Sequence, residues 1–247
     1  MTAPADQHNG ADQHNGTRAQ LDQQIMDASS ATAGPDAKPA STDGSVYWQL
    51  VGRPYVSSHR FRKSTLLALS WAIEDQFCSR AESPVLFAGF QHERYWRPAR
   101  RRWEQLAHIA RSAMVFADFD TANPGDSPVR VPLPVGAALR QEWIVICDSF
   151  ELPAVLAAWE IPGQDMVPEP DRIFETIWTI DPEAVRAASR ICAQLALDAG
   201  IDEARPLLYQ LAENPTPGAL SPAEASELFS RIMAYLDRFG NSPTTSP

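Results

Sequence analysis

Polar and aromatic side chains stand together where a strand-like segment gives way to a helix-like one. Val85–Gln91 is apolar and has the length of a strand, and an arginine-rich segment with helical spacing follows it. Such a junction is a common place for a ligand site. Arg94 would bind an anion there, Tyr95 would stack on a ring and Gln91 would orient the molecule. The competing interpretation is packing, in which the aromatic rings cover the sheet edge and Gln91 satisfies the loop backbone.

A later apolar segment could add two more side chains to this site. Gln141–Cys147 predicts a strand, and Glu142 and Trp143 lie at its beginning. If this strand neighbours the first one, both side chains could reach the junction. We therefore predict a site for a small polar or aromatic molecule, made of Gln91, Arg94, Tyr95, Glu142 and Trp143. The sequence does not identify that molecule, and any cofactor is unknown.

Acidic residues offer a different chemistry. Asp118 and Asp120 end the apolar segment Ala113–Phe119, and carboxylates at the end of a strand often hold Mg²⁺ in α/β proteins. Together with Glu93 they could form the site of a metal-dependent enzyme. A phosphate-receiver site would also need a lysine late in the fold, but the only lysines are Lys38 and Lys63. We expect the two aspartates to be solvated turn residues and predict no metal site.

The usual catalytic motifs are absent from the sequence. It contains no GxSxG elbow, no Walker A loop, no GxGxxG after a strand and no HExxH. No nucleophile is followed by an evident general base, and no residues show the spacing of a metal-ligand cluster. These observations predict a protein that is not an enzyme.

The charge pattern argues against a nucleic-acid partner. The chain carries a formal net charge of −10, and the acidic excess is spread along its length. The arginine cluster at Arg97, Arg100, Arg101 and Arg102 is expected to be an exposed helix face paired with nearby glutamates. No run of eighteen apolar residues predicts a membrane span. The absence of a secretion signal and three scattered cysteines favour a cytoplasmic protein with reduced thiols.

Strand-like and helix-like segments alternate along the middle of the chain. Strands are predicted at 85–91, 113–119, 141–147 and 173–180, with a possible edge strand within 129–134. Helices are predicted at 63–80, 94–111, 151–159, from 182 onwards and at 221–239, with Pro98 expected near the start of the second. This alternation favours a single α/β domain whose sheet of four to five strands is covered by helices.

Composition divides the chain into four parts. Residues 1–45 are polar and contain the tandem repeat ADQHNG, so we predict a disordered tail whose histidines bind no metal. The predicted globular domain spans 46–200. A helical C-terminal extension follows at 201–240, and residues 241–247 form a second disordered tail.

Several sequence blocks occur in the order typical of a known family. They are Leu69–Glu74, the pattern Phe90-Gln91-x-x-Arg94-Tyr95, Trp103–Ala107, Ala113–Phe119 and Leu139–Trp143. Over roughly residues 60–195 this order resembles the DICT sensory domain, with the actinobacterial branch closest. The resemblance implies a small α/β module that senses a ligand or signal without catalysis of its own. It supplies no binding residues, so the predicted site rests on position and chemistry.

Two functions remain in competition. The chain could be a sensory domain of bacterial signal transduction that binds a small molecule near the 90–95 junction. Alternatively, it could be an adaptor that docks a signalling protein through the 221–239 helix, whose apolar face includes Leu228 and Ile232.

Overall fold

The computed structural model describes residues 42–54, 56–214 and 218–240. The ADQHNG repeat and both predicted disordered tails lie outside the described residues, apart from residues 42–45. Ser45 belongs to the fold, because its hydroxyl oxygen accepts a hydrogen bond from the Trp48 amide at 2.9 Å and caps the first helix. No helix in the described segments is long and apolar enough to cross a membrane.

Helices and strands alternate through the described chain. The strands are β1 Ser58–Arg62, β2 Val85–Phe90, β3 Ser112–Ala117, β4 Val129–Pro132, β5 Glu142–Asp148, β6 Ala154–Glu160 and β7 Ile173–Thr179. The α-helices are α1 Val46–Leu50, α2 Lys63–Ile73, α3 Glu93–Ile109, α4 Pro182–Asp198, α5 Ala204–Glu213 and α6 Pro222–Gly240. A π-helical turn, Glu74–Cys78, continues α2, and short 3₁₀ turns occupy Ala138–Gln141 and Glu169–Asp171.

The seven described strands form one mixed sheet in the order β1-β7-β6-β5-β2-β3-β4. β2, β3 and β4 run parallel to one another, and α3 makes the crossover from β2 to β3. All other neighbouring strands pair antiparallel. The α/β class predicted from the sequence is confirmed.

Helices cover both faces of the sheet and create two apolar cores. In β2, Val85 and Phe87 face the core that also holds residues of α1, α4 and α5, while Leu86 and Ala88 face the core under α2, α3 and α6. Side chains alternate in this way because successive strand residues point to opposite faces. The result is a three-layer α/β/α domain in which α5 and α6 each contribute to a core.

The predicted sheet of four to five strands was too small. β6 was predicted as a helix at Glu151–Trp159, and β1 was not predicted. Residues Ala154–Trp159 are buried on both faces, so they show no polar alternation, and three of them are alanines, which favour helices. β1 reads Ser-His-Arg-Phe-Arg and contains no apolar run. Neither strand therefore carries the local pattern by which strands are recognised.

Candidate functional site

A cavity of about 600 Å³ lies between α2 and α3, at the end of β2 and the start of β5. Cavities of 300–1,000 Å³ accommodate most small-molecule ligands of proteins. Most of its wall is apolar or aromatic, including Leu67, Trp71, Phe90, Tyr95, Pro98 and Trp143. The size and lining are those of a binding site for a small organic molecule.

Three of the five predicted site residues line this cavity. β2 and β5 are antiparallel neighbours, and Phe90 is paired directly with Trp143. This pairing brings Trp143 to the same cavity as Gln91 and Tyr95, which follow β2 in the chain. The structure thus brings three of the five predicted residues together at the junction between β2 and α3.

The other two predicted residues lie elsewhere. The Arg94 side chain is exposed and packs on the Tyr95 ring, with its guanidinium carbon 4.7 Å from the ring centroid and Nη2 donating to Tyr95 Oη at 2.7 Å. Glu142 precedes Trp143 in β5 and so points to the opposite face of the sheet, where it is fully buried. Neither side chain is part of the cavity wall.

Gln91 has an unusual backbone conformation, with a positive φ angle. Its φ of +59° is in the left-handed region, which costs a non-glycine residue about 1–2 kcal/mol. The His92 amide donates to the Phe90 carbonyl at 2.5 Å and closes a three-residue turn around Gln91. The Gln91 side chain is buried, and its Nε2 donates to Glu160 Oε2 at 2.8 Å. Strain of this kind is concentrated at functional sites in proteins.

A lysine and a glutamate form an ion pair in the cavity wall. Lys63 Nζ lies 2.6 Å from Glu169 Oε1 and 3.5 Å from the centroid of the Tyr95 ring. Burial lowers the pKa of Lys63 below its ordinary value, although Glu169 opposes that shift. Sequence reasoning missed this pair because Lys63 and Glu169 are more than a hundred positions apart, and only the fold brings them together.

A second charged cluster contributes Glu74 and Arg102 to the cavity wall. Arg102 donates from Nε to the Glu74 carboxylate and from Nη2 to Asp75 Oδ1 at 2.5 Å. Burial raises the pKa of the Glu74 carboxyl, against the attraction of Arg102. Both acids belong to the π-helical turn, a distortion that is frequent at functional sites. The prediction that the arginine cluster forms an exposed helix face is therefore wrong for Arg102.

The cavity wall is linked to the C-terminal helix. The Tyr235 hydroxyl of α6 donates to Asp75, and the Tyr235 and Trp71 rings meet edge to face with their centroids 6.3 Å apart. Leu228 and Ile232 of α6 are buried in the core beneath α2. A change in the position of α2 would therefore alter the contacts that hold α6.

Asp118 is a structural residue at the start of α3. It accepts hydrogen bonds from the Glu93 amide at 2.5 Å, His92 Nδ1 at 2.9 Å and Arg140 Nη2 at 3.2 Å. Partial burial opposes its ionisation, but the bonds from His92 and Glu93 outweigh this and lower the pKa of Asp118. This capping starts α3 at Glu93, so the prediction that Pro98 stands at the helix start was wrong.

The acidic residues that could form a metal site, Glu93, Asp118 and Asp120, form no metal-ligand cluster in the described segments. Within 42–54, 56–214 and 218–240, no three His, Cys, Asp or Glu side chains converge as metal ligands. The Asp118 oxygens are already occupied by protein donors, as described above. The structure therefore offers no support for a metal-dependent enzyme at Asp118, Asp120 and Glu93.

Glu142 anchors the beginning of the domain. Its carboxylate accepts hydrogen bonds from the Ser45 hydroxyl and from the Val46 and Tyr47 amides, both at 3.1 Å. Burial raises the pKa of Glu142 from its ordinary value of 4.5 to about 7, although these hydrogen bonds favour the ionised form. Glu142 thus holds α1 against the sheet on the face opposite the cavity.

Part of the three-layer domain is similar to a known class of sensory module. Residues 46–161 match the family model of DICT, described as "Sensory domain in DIguanylate Cyclases and Two-component system". Residues 46–161 are thus similar to the DICT sensory domain, which confirms the predicted resemblance to this family. No curated protein and no solved structure matches the chain.

The match runs from α1 to the residue after β6 and includes the strands that line the cavity. Among the described strands, β1 pairs only with β7, which lies outside the match. The folded unit described here therefore continues beyond the matched segment.

Proposed function

We propose that this chain is a non-catalytic cytoplasmic sensor in bacterial signal transduction that binds a small molecule in the cavity between α2 and α3. The carrying observation is an aromatic cavity of about 600 Å³ in a sensory domain, with the strained Gln91 at its edge. Gln91, Tyr95 and Trp143 form the ligand-binding set in this proposal. Arg94 and Glu142, which lie outside the cavity, are left out of it.

The charged side chains of the cavity support binding rather than catalysis. Lys63 is paired with Glu169, and Arg102 with Glu74 and Asp75. A general base or nucleophile needs a proton-transfer partner and room to reach the substrate. Because each of these groups already has an ion-pair partner, they are suited to shaping the cavity.

A thermal-shift screen of the full chain tests this proposal. The panel comprises nucleotides, cyclic dinucleotides, flavins, tetrapyrroles and divalent metals, and a ligand specific for the native state should raise the melting temperature. The shift should disappear in Trp143→Ala and persist in the control Tyr209→Ala, since Tyr209 is an exposed ring on α5. Arg94→Ala should retain the shift. A ligand whose shift survives Trp143→Ala binds elsewhere, and that result would refute the proposed site.

A second candidate is an adaptor that docks a signalling protein through α6. Phe229 and Met233 are four residues apart on α6 and are 62% and 51% exposed, so they form an apolar strip on its outer face. Leu228 and Ile232 are buried in the domain itself, so a partner would have to use this strip. Replacing Phe229 and Met233 by serine should abolish co-purification of a partner and leave the thermal response to ligand intact.

A further inference from the structure

We infer that the cavity takes an uncharged, planar aromatic molecule that carries an N–H or O–H donor, and that Gln91 accepts a hydrogen bond from that donor. This inference rests on the proposed function and specifies its ligand. Three features of the cavity carry it: the aromatic wall, the balance of its charged groups and the orientation of the Gln91 amide.

The aromatic wall favours a flat ring system. Trp71 comes from α2, Tyr95 from α3, and Phe90 and Trp143 from the paired strands β2 and β5. Rings supplied from several directions offer both faces and edges to a guest, and aromatic pairs gain from stacked or edge-to-face contact beyond simple burial. A flexible aliphatic chain would forgo that contact. The cavity volume accommodates a molecule of drug size.

The charged groups of the wall favour a ligand without net charge. Lys63, Arg102, Glu74 and Glu169 are the ionisable acids and bases with full charges in the described wall, and their formal charges sum to zero. Lys63 is satisfied by Glu169, and Arg102 by Glu74 and Asp75. An ionic ligand would bring a net charge into a largely apolar cavity whose own charged groups are already paired, which is costly. An uncharged molecule avoids that cost.

The Gln91 amide presents an acceptor. Its Nε2 donates to Glu160 Oε2, and Glu160 is held in turn by Arg172 Nη1 at 3.1 Å. Because an ionised carboxylate only accepts hydrogen bonds, the amide nitrogen must face Glu160. The carbonyl oxygen of Gln91 appears in no hydrogen bond among the described residues. This oxygen is not one of the fully buried, unpartnered side-chain atoms of the described residues, so it is accessible in the cavity that Gln91 lines. A ligand N–H or O–H would donate to it there in place of water.

Matched probes test each part of this inference on the full chain. Three compounds share one ring system: naphthalene-2-carboxamide, its N,N-dimethyl amide and naphthalene-2-carboxylate. The same three derivatives of anthracene and pyrene test ring size. Isothermal titration calorimetry should show the primary amide of the best-fitting ring binding at least about tenfold more tightly than the acid and the dimethyl amide. Trp143→Leu should weaken all three, and Tyr209→Ala should change none.

The role of Gln91 is tested by two variants. Gln91→Met removes the side-chain amide. Gln91→Asn keeps an amide, and asparagine tolerates the left-handed backbone, but its side chain is one methylene shorter, so the carbonyl oxygen lies farther from the ligand. Melting temperatures establish that each variant folds. In either folded variant the preference for the primary over the dimethyl amide should fall below about threefold. Retention of the full preference in a folded variant would overturn the assignment of Gln91.

The remaining outcomes separate this inference from the proposed function. If a carboxylate binds most tightly and Trp143→Leu abolishes its binding, the ligand class is wrong and the cavity remains a binding site. If none of the nine compounds binds but a member of the thermal-shift panel binds in the cavity, the inference fails alone. If neither set yields a ligand that depends on Trp143, both fail.

Discussion

Neutralising Glu142 should change how the stability of this domain depends on pH. Glu142 is fully buried, receives three hydrogen bonds from Ser45, Val46 and Tyr47, and has no basic side chain among its hydrogen-bond partners. Its pKa is raised by burial from 4.5 to about 7. The folded state therefore holds the Glu142 proton more tightly than the unfolded state does.

The sign and size of the effect follow from this difference. Below pH 4.5 the carboxyl is protonated in both states and its stabilising contribution is fully present. That contribution is lost progressively as the pH rises through about 7. A pKa difference of roughly 2.5 corresponds to about 3 kcal/mol, at 1.36 kcal/mol for each pKa unit. Relative to Glu142→Gln, which cannot titrate, the wild-type protein should lose about 3 kcal/mol of unfolding free energy between pH 4.5 and pH 8.

Urea denaturation followed by tryptophan fluorescence at pH 5, 6, 7 and 8 measures this difference. All other groups titrate alike in the two proteins, so the difference between their unfolding free energies isolates Glu142. Glu151→Gln is the control, because Glu151 is an exposed glutamate and its replacement should alter stability little at every pH. A wild-type minus Glu142→Gln difference that stays constant within 1 kcal/mol would refute the reasoning.

Three further substitutions test the contacts around the cavity. Tyr235→Phe removes the hydroxyl that donates to Asp75 and should lower the free energy of unfolding by about 1 kcal/mol. Amide hydrogen exchange in α6, measured by mass spectrometry, should become faster, and unchanged exchange would show that this hydrogen bond does not stabilise the helix. Asp118→Ala removes the cap of α3 and should lower stability by about 1–2 kcal/mol in chemical denaturation, whereas no loss would argue against its capping role. Arg97→Ala breaks only an exposed pair with Glu93 and should change stability by less than about 0.5 kcal/mol in the same assay; a larger loss would mean that this pair is not a surface interaction of the usual kind.

The site shows why sequence reasoning found part of the cavity and missed the rest. Gln91 and Tyr95 were found because they follow an apolar strand directly, and that junction is visible locally. Lys63, Arg102 and Glu169 were missed as cavity residues because each looked like an ordinary charged residue in its own segment. Their role depends on contacts between α2, α3 and the turn at Glu169–Asp171. Contacts between distant segments produce no recognisable spacing of residues within any one segment.

Glu142 was misplaced for a different reason, and here a local rule was available. Consecutive residues of a strand point to opposite faces of the sheet, so Glu142 and Trp143 could not both line one cavity. Once Trp143 was assigned to the site, the rule already excluded Glu142. The apolar run of β5 obscured this, because a strand buried on both faces shows no alternation of polar and apolar residues.

The sequence by itself determined the α/β class, the family resemblance and the junction at which the cavity lies. These follow from apolar runs, helical spacing and ordered motif blocks, all of which are local properties of the chain. The tertiary structure decided the strand order, the strand character of Ala154–Glu160 and the meeting of Trp143 with Gln91. The physical reason is that strand pairing and the burial of both sheet faces are set by contacts between distant segments, which must form together for either core to exclude water.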